Sequence, residues 1–166
     1  MKTAAKCRKV LRLLNKAQET LAMAESCTGG LVAAHFTKQP GVSEVFYGGL
    51  VAYSNHTKIE LLNVPGTVIR KHGAVSRPVA RAMVLGARRI FGSQWALSVT
   101  GIAGPSGGSD AKPVGTVFFA VVGPGFEKVE KRHFRGNRQS IQKQSMDAVL
   151  ALLLTGLEAH AKRLKL

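Results

Sequence analysis

A chain of 166 residues, 45% hydrophobic and 20% charged, has the composition of one globular domain large enough to bury a core. It contains no apolar run near the ~20 residues that span a bilayer. Twenty-four Lys and Arg oppose nine Asp and Glu, giving a net charge of +15, an excess that points to nucleic acid, anionic lipid or a phosphorylated small molecule.

The first predicted element is an amphipathic helix, from Cys7, Val10, Leu11, Leu14 and Ala17 at helical spacing. Its polar face carries Lys2, Lys6, Arg8, Lys9, Arg12 and Lys16, and Lys162, Arg163 and Lys165 close the chain; such basic ends are more often solvated faces than binding sites. A short apolar strand over 20–24 ends in the turn Glu25-Ser26-Cys27-Thr28-Gly29-Gly30, which feeds a helix over 29–37. Pro40-Gly41 breaks the chain before a second strand over 46–53. Asn55 caps a short helix to 62, and 65–73 is a connection. Ser76 caps a longer helix to 91, with Pro78 in its first turn. A third strand over 95–100 runs into the glycine-rich segment 100–108. A β-branched and aromatic run over 114–122 predicts a buried strand, and 127–134 a partly exposed one. Met146, Val149, Leu150, Leu153, Leu154 and Leu157 predict a final core helix. The alternation implies a single α/β domain over 1–166, three layers thick (α/β/α), around a central mixed, mostly parallel sheet.

In such sheets ligands bind beyond the carboxyl ends of strands, and three chemistry-bearing segments fall there. The Ser26 turn presents a hydroxyl and leaves amides at a helix N-terminus, where an anion can settle; Ser26 could equally be a plain cap. Lys58 is a general base if burial or neighbouring cations lower its pKa from about 10.4, a Ser–Lys variant of nucleophile activation that dispenses with histidine. Otherwise it is a solvated helix residue. Tyr53 relays a proton or packs, with equal weight. Glu25 orients Lys58 or ties down the turn. The glycines of 100–108 allow close backbone approach to a phosphate or flat ring, or make a flexible loop, while Arg135 and Arg138 offer bidentate phosphate contacts or are surface charges just ahead of the last helix. His35, His56, His72, His133 and His160 are scattered, carboxylates are sparse, and Cys7 and Cys27 make no metal or disulfide pattern. The site is therefore expected to use no metal and no cofactor.

Ala24-Glu25-Ser26-Cys27-Thr28-Gly29-Gly30, Tyr53-Ser54-Asn55 with Lys58, Gly73-Ala74-Val75-Ser76, and Thr100-Gly101-Ile102-Ala103-Gly104-Pro105 with Gly107-Gly108 and 112–117 resemble the C-terminal domain of the competence- and damage-inducible protein CinA, the family of nicotinamide-nucleotide amidohydrolases. The resemblance runs from about Leu11 to Leu157 with the motifs in the family's order. It implies a stand-alone α/β/α domain, without the molybdopterin-binding-like domain that precedes it in longer relatives. It also implies hydrolysis of nicotinamide mononucleotide to nicotinate mononucleotide and ammonia. On that pattern Ser26 is the nucleophile and Lys58 its dyad partner, with Tyr53 close by. The amides of Thr28, Gly29 and Gly30 would hold the oxyanion, and Thr100, Gly101, Gly104, Gly107 and Gly108 with Arg135 and Arg138 would hold the ribose phosphate. The family more often carries an acidic residue near Asn137.

Without a signal peptide or a disulfide pattern, a cytoplasmic protein is expected. The amphipathic terminal helices suggest a homodimer, and no membrane is expected as partner. The alternative reading is a non-catalytic domain that binds nucleic acid or senses a nucleotide.

Overall fold

The strand Thr116–Gly123 (β4) is buried along its whole length, and its alternate side chains enter two different cores: Val117, Phe119 and Val121 on one face, Phe118, Ala120 and Val122 on the other. A strand buried on both faces must be the middle of a sandwich. The computed structural model describes residues 2–165 and has that form. The first core is covered by three helices, Thr3–Ala17 (α1), Leu31–Thr37 (α2) and Arg138–Arg163 (α6). Asn55–Leu62 (α3), Gly66–His72 (α4) and Arg77–Phe91 (α5) cover the second. With Leu21–Glu25 (β1), Phe46–Val51 (β2), Trp95–Gly101 (β3) and Phe126–His133 (β5), β4 makes a five-stranded sheet in the order β2-β1-β3-β4-β5. β1 is parallel to β2 and β3, whereas β4 is antiparallel to β3 and β5. Four strands therefore run one way and β4 opposes them, a mixed and mostly parallel sheet.

Most predicted elements fall within a residue or two of their expected places, and three corrections stand out. Residues 65–73 are not a bare connection: Gly66–His72 is helical, because Val68 and Ile69 find apolar partners in the second core. Seven residues are too few for that periodicity to declare itself. Asn55 is not the cap of α3. Ser54 takes that place, accepting from the Thr57 amide at 3.0 Å while the Thr57 hydroxyl accepts from the Ser54 amide at 3.2 Å, the reciprocal pair of a capping box. Arg138 does not precede the last helix but begins it, behind the Asn137 cap, whose Oδ1 accepts from the Ser140 amide at 2.9 Å.

The seam between α3 and α5 is set by Gly86. A Cβ there would lie 2.2 Å from the Leu62 carbonyl oxygen, a backbone atom with nowhere to move. Gly86→Ala is expected to destabilise the fold by about 1–3 kcal/mol through overpacking, read as a fall of several degrees in Tm. Among the described residues no helix is long and apolar enough to cross a membrane.

Candidate active site

β1 lies between β2 and β3, so the chain leaves three parallel strands side by side at one edge of the sheet. The turn after β1 carries Ser26, the segment after β2 carries Tyr53 and leads into α3, and β3 runs into the glycine-rich loop. β5 ends at the same edge and delivers the start of α6. These elements enclose a cleft of about 250 Å³ bordered by Ser26, Tyr53, Lys58, Thr100, Gly101, Gly104, Gly107 and Arg138. Asn55, Ala74, Val75 and Ser106 also border it. Asn55, Ala74 and Val75 were part of motifs; no chemical property marked Ser106 as a site residue.

Ser26 extends the sheet ladder by one bond, its amide donating to Val99 O at 3.0 Å, and its side chain is 7% exposed. Lys58, in the first turns of α3, is 2% exposed and turns its amine inward. Nζ lies 3.0 Å from Ser26 Oγ, 2.9 Å from Ala52 O and 3.2 Å from Tyr53 O. Burial pulls its pKa below the ordinary 10.5, since a desolvated ammonium is costly. No carboxylate among the described residues forms an ion pair with it. In the neutral form the two N–H groups suit the two carbonyls, and the lone pair is left facing the serine hydroxyl. That is the geometry of a general base and its nucleophile.

Cys27 sits beside Ser26 and is the competing nucleophile. It is 5% exposed, and burial pushes its thiol up to about 12, so it remains a neutral thiol. Its place is structural. The Cβ of any larger residue at Gly101 would fall 3.1 Å from Cys27 Sγ and 2.7 Å from Val117 Cγ2; glycine is what lets β3 pass so close behind the turn.

Several expected roles are redistributed. The phenol of Tyr53 makes no hydrogen bond to Ser26 or Lys58 among the described residues. The residue is 55% exposed and its hydroxyl accepts from Arg138 Nη2 at the cleft mouth, while its carbonyl, not its ring, holds Lys58. Thr100 lines the cleft but spends its hydroxyl on Ala74 O at 3.0 Å, tethering the segment ahead of α5. Arg138 donates to Gly104 O at 2.8 Å, so its guanidinium bridges the glycine-rich loop and Tyr53. Arg135 and Gly108 do not border the cleft; Gly108 packs against Val114, whose amide would lie 2.8 Å from an added Cβ.

The amides at Gly29 and Gly30 are not available to an oxyanion. Gly29 N donates to Ser26 O at 3.0 Å. Gly30 N, Val32 N and Ala33 N donate to the Glu25 carboxylate at 3.0, 3.1 and 2.8 Å. Of the two roles open to Glu25, tying down the turn is the one realised. The Thr28 amide is left without an acceptor among the described residues, and the Thr28 hydroxyl is buried without a partner. Gln142 was not singled out from the sequence: from α6 it donates to Cys27 O at 2.8 Å, a contact across 115 positions that no local pattern signals.

Most of the positive charge faces solvent. Among the described lysines and arginines only Lys6, Lys9, Arg81, Lys128 and Arg132 pair with a carboxylate. No group of three or more His, Cys, Asp and Glu among them could hold a metal ion.

The architecture is thus a three-layer α/β domain with a buried Ser–Lys pair at the carboxyl edge of its sheet. The chain belongs to the CinA family: the model of the CinA C-terminal domain matches residues 3–157. A CinA-like protein of Prochlorococcus marinus is 48% identical over 143 residues, covering 86% of this chain and 34% of the relative. One from Citrifermentans bemidjiense is 53% identical over 130 residues, 78% of this chain and 31% of the relative. The chain spans about a third of the length of these curated relatives. Among solved structures, a CinA-superfamily protein from Klebsiella pneumoniae superposes with a TM-score of 0.91 at 31% identity, covering 96% of this chain and 99% of that one. A competence/damage-inducible protein from Agrobacterium tumefaciens gives 0.87 at 33% identity, with 94% and 95% covered.

Proposed function

We propose that the domain is an amidohydrolase that converts nicotinamide mononucleotide and water to nicotinate mononucleotide and ammonia. The observation that carries the reading is the 3.0 Å approach of Lys58 Nζ to Ser26 Oγ inside a cleft. Lys58 takes the serine proton as Oγ bonds to the carboxamide carbon. It then hands that proton to the departing nitrogen as the C–N bond breaks, releasing ammonia and leaving a Ser26 ester. A water molecule, deprotonated by the same amine, attacks the ester, and Lys58 returns the proton to Oγ as the acid leaves. One residue thus serves as base and acid in turn.

The cleft volume is small against the ~300–1,000 Å³ of typical ligand pockets. It suits a ring and its carboxamide, with the ribose phosphate directed to the mouth where Arg138 stands. A surface of mostly unpaired cations favours an anionic substrate over a neutral one by raising its local concentration.

The test is ammonia release from nicotinamide mononucleotide by the purified protein, with the uncharged nicotinamide riboside for comparison. Release from the nucleotide supports the reading; none from either compound overturns it. Arg138→Ala is expected to raise KM about tenfold and to change kcat less than threefold, because it removes a contact made equally in ground and transition states. Steady-state kinetics on the two substrates check this, and the riboside should be insensitive to the substitution.

A further inference from the structure

The helix that follows the nucleophile has no cap of its own. Its N-cap position is Gly30, at φ 94° and with no side chain to offer. Yet all four of its leading amides are satisfied. Leu31 N donates to Thr28 O at 3.0 Å, and Glu25 takes the other three, Gly30 and Val32 on Oε2 and Ala33 on Oε1. A side chain at the end of a strand therefore performs, from five to eight positions upstream, what Ser or Asp ordinarily does at the cap itself. Glu25 is 1% exposed, and its carboxylate makes no ion pair among the described residues. Its compensation is those three charge-assisted bonds and the positive end of α2.

The consequence for the turn is geometric. Ser26 is pinned by its amide to Val99 O, Cys27 by its carbonyl to Gln142, Gly29 by its amide to Ser26 O, and Gly30 by its amide to Glu25. Within the turn 26–30, only the amides of Cys27 and Thr28 donate to no carbonyl or carboxylate among the described residues, and Cys27 borders the cleft directly after the nucleophile.

We infer that Glu25 is the positioning residue of this site: by capping α2 from within the sheet it fixes the turn that carries Ser26 and reserves the amides of Cys27 and Thr28 for the oxyanion. The inference rests on the amidohydrolase reading. Without the carboxylate, the three amides of α2 lose their acceptor and become competing donors a few residues from the reacting centre. The turn is then free to relax away from Lys58. Substrate binding, which depends on groups at the cleft mouth, is left alone.

The experiment compares the wild-type chain with Glu25→Gln, which keeps the shape but sets an NH2 group against one of the three amides. The two readouts are steady-state ammonia release from nicotinamide mononucleotide and the rate at which methanesulfonyl fluoride labels Ser26, followed by intact-protein mass. Glu25→Gln is expected to lower kcat about 10²-fold, the scale of a lost oxyanion donor, with KM within twofold, and to slow labelling at least tenfold. Glu25→Asp, with the charge but one methylene less reach, is expected to fall between the two in both rates. A folded Glu25→Gln protein with wild-type kcat and labelling rate overturns the inference, and so does a change confined to KM. Should Glu25→Gln fail to fold, Glu25→Asp decides alone: kcat at least fivefold down at unchanged KM upholds the inference, and unchanged kcat overturns it. A wild-type protein that is labelled at Ser26 but releases no ammonia sinks the amidohydrolase reading and not the role of Glu25, which the labelling rates still test.

Discussion

Ser26→Ala is expected to abolish ammonia release, by at least about 10³-fold in kcat/KM, while the folded structure survives. The loss follows from the chemistry: without Oγ there is no acyl-enzyme, and what remains is binding plus whatever the cleft does for a bound water. Survival of the fold follows from the contacts. The side chain of Ser26 packs little and bonds only to Lys58, whereas the strand is held through its amide and Val99 O, both retained in alanine. Removing the hydroxyl costs one hydrogen bond, about 1 kcal/mol, because Lys58 keeps its two carbonyl partners. The measurement pairs the ammonia assay with a thermal melt. Full activity in Ser26→Ala removes the proposed nucleophile.

Lys58→Met is expected to lose about 10²–10⁴-fold in kcat, the usual contribution of a positioned base, and Lys58→Arg to lose as much, because a guanidinium stays protonated across the working range. The wild-type pH profile should show the reason. The neutral amine is the active form, so kcat/KM climbs with pH along a limb centred below 10.5, displaced downward by burial. The same displacement enters stability. Between the folded value and 10.5 the unfolded chain binds a proton at this position that the folded chain does not, so stability rises with pH across that window. It is lost as pH falls through the folded value, when the buried amine must take up charge. In Lys58→Met both dependences should vanish together. A rate profile that keeps its acid limb in an active Lys58→Met variant rules out this amine as the base.

Much of the fold was legible in the sequence because its signals are local. The period of Val10, Leu11 and Leu14 announces α1, and the unbroken apolar run of β4 announces a strand buried on both faces. Gly66–His72 was not legible because two turns of helix contain too few residues to show a period. In the candidate site, Ser26 and Lys58 were legible as a pair only through motif order: a hydroxyl in a glycine-rich turn and a lysine after a strand leave a plain cap and a solvated side chain equally in view, and the family pattern is what joined them. The contacts of Tyr53 were not legible: nothing local reveals that its hydroxyl meets Arg138 and its carbonyl meets Lys58. The partners of the Gly29 and Gly30 amides were not legible, because a helix N-terminus advertises unpaired donors and says nothing of a carboxylate five residues back.

The amino-acid sequence alone determined which residues could do chemistry, the succession of helices and strands, and the family resemblance, since each depends on neighbours along the chain or on motif order. The tertiary structure decided that β1 lies between β2 and β3, which brings 26 and 58 to 3.0 Å, that Glu25 faces α2 and not the lysine, and that Gln142 closes the back of the turn. Strand order and long-range contacts depend on how two cores pack against one sheet, a property of the whole chain that no window of it contains.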